Sequence, residues 1–96
     1  MSVAARREVG FLLRQLQEGI PLSLPASRPM PEIESGCHEL KVKDERHDWR
    51  VVYAVESDAI VILEVFGKGS RRTPKHVKET CCRRLREYRR LTREEE

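Results

Sequence analysis

Residues 38–66 hold three β-type runs joined by connections of four residues or fewer, and that arrangement limits the fold more than any other feature of the chain. In residues 38–44, Leu40 and Val42 alternate with Glu39, Lys41 and Lys43, as a strand with one apolar face requires. Residues 49–56 read WRVVYAVE, rich in β-branched and aromatic side chains. Ser57-Asp58 is a tight turn, and residues 59–66 read AIVILEVF. Connections this short cannot carry a crossover, so the runs form an antiparallel meander. The third run is almost wholly apolar, which predicts a central strand covered on both faces except at Glu64.

The hydrophobic period changes on either side of the meander. In residues 4–18, Val9, Leu12, Leu13 and Leu16 follow helical spacing, and Gly19 and Pro21 end the pattern. Residues 21–36 hold four of the five prolines and read as a stiff loop. Thr73-Pro74 predicts a helix start with Thr73 as N-cap. The helix continues to about residue 92 on an apolar stripe of Val77, Cys81, Leu85, Tyr88 and Leu91. The expected architecture is α+β: helix, three-stranded meander, helix, in a single domain over residues 1–96 with 94–96 as a frayed acidic tail.

Composition narrows the function. The longest apolar run, residues 59–63, is too short to span a bilayer, and no signal-peptide core precedes the first helix, so a cytoplasmic location is the default. Three cysteines, two of them adjacent, argue against a disulfide framework, and no ligand spacing suggests a metal. No cofactor is expected. The net charge of +3 conceals an asymmetry, because residues 67–93 carry eleven Lys/Arg against Glu79 and Glu87, a net +9. The rest of the chain is therefore net −6. Such a segment suits a phosphate backbone or an acidic partner.

The candidate site lies where cationic groups from adjacent elements converge. Lys41 and Lys43 leave the first strand, Arg50 opens the second, and Lys68, Arg71 and Arg72 follow the third. Lys75 and His76 occupy the first turn of the last helix, whose N-terminus favours an anion. Cleavage of RNA by its own 2′-hydroxyl needs positive charge around the phosphoryl oxygens, a base and an acid. Arg50, Lys68 and Arg72 supply charge of the right kind, and His76 and Tyr88 are the proton carriers of suitable type. Lys41, Lys43, Arg71 and Lys75 are candidate RNA contacts. Plainer roles compete, since Tyr88 lies on the apolar stripe and His76 fits an ordinary exposed first turn.

Several segments sharpen this. Gly36, then Glu39-Leu40-Lys41-Val42-Lys43-Asp44, then Trp49-Arg50-Val51-Val52-Tyr53 stand in order, followed by Phe66-Gly67-Lys68-Gly69-Ser70-Arg71-Arg72-Thr73-Pro74. Arg6-Arg7-Glu8-Val9-Gly10-Phe11 and Pro29-Met30-Pro31 precede them. Together they resemble the phage-derived, HigB-like branch of the RelE/ParE toxin superfamily. The resemblance implies a RelE-like fold, a type II toxin–antitoxin role and ribosome-dependent endonuclease attack on mRNA without a metal, which inhibits translation. Lys41, Arg50, Lys68 and Arg72 fall at the family's basic positions. The implied partners are an antitoxin with a helix-turn-helix and mRNA on the ribosome, with no membrane. Gly69 and Ser70 depart from the family's Lys and Thr. Relatives also begin with a further strand before the first helix, so an unprotected sheet edge is expected here. The alternatives are a non-enzymatic ParE-like toxin that binds a protein target, or a truncated inactive toxin that binds only its antitoxin.

Overall fold

The computed structural model describes residues 1–45, 47–68 and 72–95, without the side chains of Lys68, Glu94 and Glu95. Its elements run α1 (Val3–Gln17), β1 (Ser27–Pro29), β2 (Cys37–Lys43), β3 (Asp48–Val55), β4 (Ile60–Lys68) and α2 (Lys75–Glu95). The four strands form one antiparallel sheet in the order β1-β2-β3-β4. The expected meander is present. The α+β class also stands, with four strands where three were expected, and α2 runs past residue 92 to Glu95.

The two faces of the sheet carry separate cores. On one, Leu40, Val42, Val51 and Tyr53 pack against Ala5 and Leu12 of α1, with Val9, Leu13 and Leu16 alongside. On the other, Cys37, Val52, Ala54 and Leu63 pack against Val77, Cys81 and Leu85 of α2, closed by Met30 and Ile33. Strand alternation in β2 and β3 sends successive residues to opposite cores. The three cysteines are free thiols, and burial raises those of Cys37 and Cys81 to about 11 and about 12, as befits inert packing groups.

The proline-rich stretch is not all loop. Ser27–Pro29 pairs with β2, Arg28 opposite Glu39. Ser27 is buried and its hydroxyl shares a 2.7 Å hydrogen bond with the Tyr53 hydroxyl. Three residues show no readable period, so tertiary contacts specify this strand rather than any local pattern.

The position of β4 overturns the expectation of a central, doubly covered strand. It lies at an edge of the sheet and pairs only with β3. Its register slips by one residue between Val52 and Tyr53, leaving Leu63 as the extra residue of a β-bulge. The bulge inverts the alternation, so Leu63 and Glu64 both lie on the α2 side while Ile62 and Val65 lie on the α1 side. Those two are 42% and 44% exposed. An apolar run thus arose from a bulged edge, not from double coverage.

Asp44 fastens α1 to the β2–β3 turn. Its Oδ2 accepts from the Ser2 N–H (2.8 Å) and the Trp49 indole N–H (3.1 Å), while Oδ1 accepts from the Glu45 N–H (2.8 Å). Ser2 is the N-cap of α1, its hydroxyl accepting from the Ala5 N–H. At the other end Gly19, with φ +82°, closes the helix in the left-handed conformation, and the Ile20 N–H reaches back to the Gln15 carbonyl.

These hydrogen bonds, led by that from the Ser2 backbone, hold the Asp44 carboxyl at about 2, below its ordinary 3.8. A depressed carboxylate stabilises the fold above its unfolded value and loses that contribution as pH falls through the folded one. The parent should therefore lose melting temperature between about pH 4 and pH 2 more steeply than Asp44→Asn. Parallel melting curves for both chains across this window would reveal the missing term, and identical pH profiles would refute it.

Candidate functional site: a cationic face at one end of the sheet

Register places the basic strand residues together. Lys41 lies opposite Arg50, which on its other side lies opposite Phe66. In the next row Lys43 lies opposite Asp48, and Asp48 opposite Lys68. Paired residues of an antiparallel sheet share a face. Here it is the α2 face, since Cys37 and Val52 on the same alternation join the α2 core. Lys41 and Lys43 are exposed.

Beneath these lysines lies a buried ionic group. Glu39 is 2% exposed and Arg50 only 7%. Glu39 Oε1 stands 3.4 Å from Arg50 Nε and 3.6 Å from Arg28 Nε. Its Oε2 accepts a 2.5 Å hydrogen bond from the Thr73 hydroxyl. A carboxylate this far from water needs such compensation, since burial of an unpaired charge is prohibitive. Arg50 also donates from Nη1 to the Trp49 carbonyl. One carboxylate between two guanidiniums leaves the group net positive.

The start of α2 is anchored to the same group. Thr73, expected as N-cap, donates its hydroxyl to Glu39, and the helix begins at Lys75 with the Pro74 carbonyl accepting from the Val77 and Lys78 N–H groups. Arg72 is exposed beside Thr73. Lys75 and His76 are exposed on the first turn, Lys75 at 3.9 Å from Glu79. Arg71 lies outside the described residues, as does the side chain of Lys68.

Tyr88 does not join them. Twelve residues beyond His76 on one helix, it lies about 18 Å away along the axis. Its hydroxyl donates to the Asp58 carboxylate at 2.9 and 3.0 Å, and that contact raises its pKa. Around it is an open cleft of about 150 Å³ bordered by Glu56, Asp58 and Arg89, at the opposite end of the sheet from Lys43. The structure therefore separates the two proton carriers considered from sequence and leaves His76 alone near the basic face.

Sequence reasoning placed Glu39 on the polar face with Lys41 and Lys43 and took it no further. Part of the signal was available, because meander register sets Glu39 diagonal to Arg50 on the same face, whereas Arg28 joins only through β1, which the sequence does not announce. Phe66, read only as the end of the third strand and the start of a family segment, completes the Lys41–Arg50 row.

The fold and this face define a small α+β protein with a cationic surface built on one buried carboxylate. The chain belongs to the family described as "Phage derived protein Gp49-like (DUF891)", whose model matches residues 1–86. Neither the curated proteins nor the solved structures searched gave a match. No helix among the described residues is long and apolar enough to cross a membrane, and no group of His, Cys, Asp and Glu there suits a metal ion.

Removing the Glu39 charge leaves Arg50 buried without its partner. Glu39→Gln should cost about 3–5 kcal/mol of stability, read as a shifted denaturant midpoint with an unchanged slope. A midpoint equal to that of the parent would show that this group does not hold the site together.

Proposed function

We propose that the chain is the toxin of a type II toxin–antitoxin system, a HigB-like member of the RelE/ParE superfamily that cleaves mRNA on the ribosome. The observation that carries the reading is the pair of adjacent register rows, Lys41 beside Arg50 and Lys43 one row on, next to the start of α2. The phosphate sits over Lys41 and Lys43, with Arg50 beneath and Arg72 at the side. These charges stabilise the negative charge gathering on the phosphoryl oxygens as the 2′-hydroxyl attacks. His76 moves a proton at the attacking or leaving oxygen, and Tyr88 takes no part. No step requires a metal or cofactor.

The burial of Arg50 dictates which variants test this. Arg50→Ala strips Glu39 of a buried guanidinium partner at 3.4 Å and so confounds folding with chemistry. Lys41→Ala and Lys43→Ala change exposed side chains, which usually alter stability by less than about 0.5 kcal/mol. Each should lower cleavage on programmed ribosomes by ~10²–10³-fold, and His76→Ala by ~10²–10⁴-fold, with melting temperatures unchanged. A folded parent that cuts neither ribosome-bound nor free RNA would remove the enzyme reading and favour a toxin that acts by binding a protein.

The antitoxin covers the outer face of α2, where Arg83, Arg86 and Arg90 are exposed. Opposite charge steers such association and masks the toxin. The triple change Arg83→Glu, Arg86→Glu, Arg90→Glu should weaken the complex with the protein encoded beside the toxin gene, and its affinity should depend less on salt than that of the parent. Unchanged affinity and salt dependence would place the antitoxin elsewhere.

A further inference from the structure

We propose that the outer edge of β4 is a docking site for an extended segment of another protein, a strand that alternates apolar with acidic residues. The inference is independent of whether the cationic face cleaves RNA. β4 has nine residues, about 30 Å of strand, and among the described residues no strand pairs with its far side. Long apolar edges are normally shortened, charged or covered, because they offer unpaired backbone groups to any passing strand. This one is none of these along its α1 side, where Ile62 and Val65 lie half exposed at the margin of the core around Val51 and Tyr53.

The α2 side of the same edge is different. The Arg84 guanidinium donates to the Leu63 carbonyl at 2.6 Å and stands 3.4 Å from the Glu64 carboxylate. Glu64 in turn accepts from the Val65 N–H at 3.1 Å. At Leu63 and Val65 backbone groups of β4 are thus held by side chains, which an incoming strand displaces, while the rest of the edge has no such cover among the described residues. Above lies α2, with eight Lys/Arg against two Glu between Lys75 and Arg93.

A strand laid along β4 sends alternate side chains to these two environments. Those on the α1 side meet Ile62 and Val65 and are apolar. Those on the α2 side meet Arg84, which an incoming carboxylate takes over from Glu64, and the basic helix above, and are acidic. A second copy of the chain fits worse. Antiparallel pairing of two β4 edges sets two α2 helices on the same face with their Arg84 side chains converging, which brings like charges together. Charge therefore selects a foreign acidic strand over self-association.

The test uses the full chain and blocked nine-residue peptides of alternating glutamate and valine, with fluorescence anisotropy for affinity and amide NMR for location. The expected result is saturable binding with shifts centred on Ile62, Val65 and Gly67. Replacing glutamate by lysine in the peptide should abolish it. Two further peptides, N-methylated at the valines or at the glutamates, separate strand pairing from mere coating, because only one set of N–H groups faces β4. One should lose binding and the other keep it. Val65→Lys should weaken binding by ~10-fold or more, as expected for losing one apolar seat. Arg84→Glu should reverse the preference toward the lysine peptide, which keeps the test open should Val65→Lys fail to fold. No binding at millimolar peptide, or equal loss with both methylated peptides, overturns the proposal. So does a dimer of the parent that Val65→Lys dissolves, since the occupant is then a second copy.

Discussion

The buried carboxylate of Glu39 is the point on which the architecture turns. It lies in the middle of β2, yet among its partners are Arg28 of β1, Arg50 of β3 and Thr73, two residues before α2. Each partner corrects a different deficit. Arg28 gives the three-residue β1 a reason to stay on the sheet. Arg50 neutralises a charge that could not otherwise be buried. Thr73 fixes where α2 begins. An ion pair with well-packed apolar replacements often costs nothing to lose, whereas one with a missing partner is strongly destabilising. The value of Glu39 is therefore positional, holding three elements to one place.

Much of this fold was legible because its periods are clean. Leu40 and Val42 alternate with Glu39 and Lys41, and α1 shows its stripe at Val9, Leu12, Leu13 and Leu16. What misled was local patterning that several structures can satisfy. The run Ile60-Val61-Ile62-Leu63 reads as a doubly covered strand, and only pairing reveals a bulge at Leu63 that changes the face of every residue after it. β1 is too short and too proline-rich to signal itself, and only its pairing with Leu40, Glu39 and His38 of β2 makes it a strand.

The site was legible to the same degree and failed for the same reason. Alternation put Lys41, Lys43 and Glu39 on one face correctly, and register then added Arg50. Alternation says nothing of depth, and Arg50 proved to be buried at 7% exposure while Lys41 opposite it is exposed. Tyr88 belonged to the helix stripe as expected, but a stripe runs the length of a helix. Its partner Asp58 lies in the β3–β4 turn, at the far end from the start of α2.

Depth divides the cationic face into two tiers with different tasks. The lower tier is the buried Glu39, Arg50 and Thr73, with Arg28 reaching Glu39 from a half-exposed position. Glu39 also sits against the beginning of α2, where its negative charge interacts favourably with the helix dipole. That same charge cancels part of the attraction a helix N-terminus offers to an incoming anion. Net attraction must then come from the upper tier, Lys41, Lys43 and the first turn of α2, whose groups reach solvent. An anion bound there meets flexible, screened charges first and the fixed guanidinium of Arg50 only on closer approach. Such an arrangement separates capture from orientation. On the function proposed above, exposed lysines would gather a phosphate through a field that salt weakens, and the buried Arg50 would act on it at short range, where surrounding protein keeps the interaction strong.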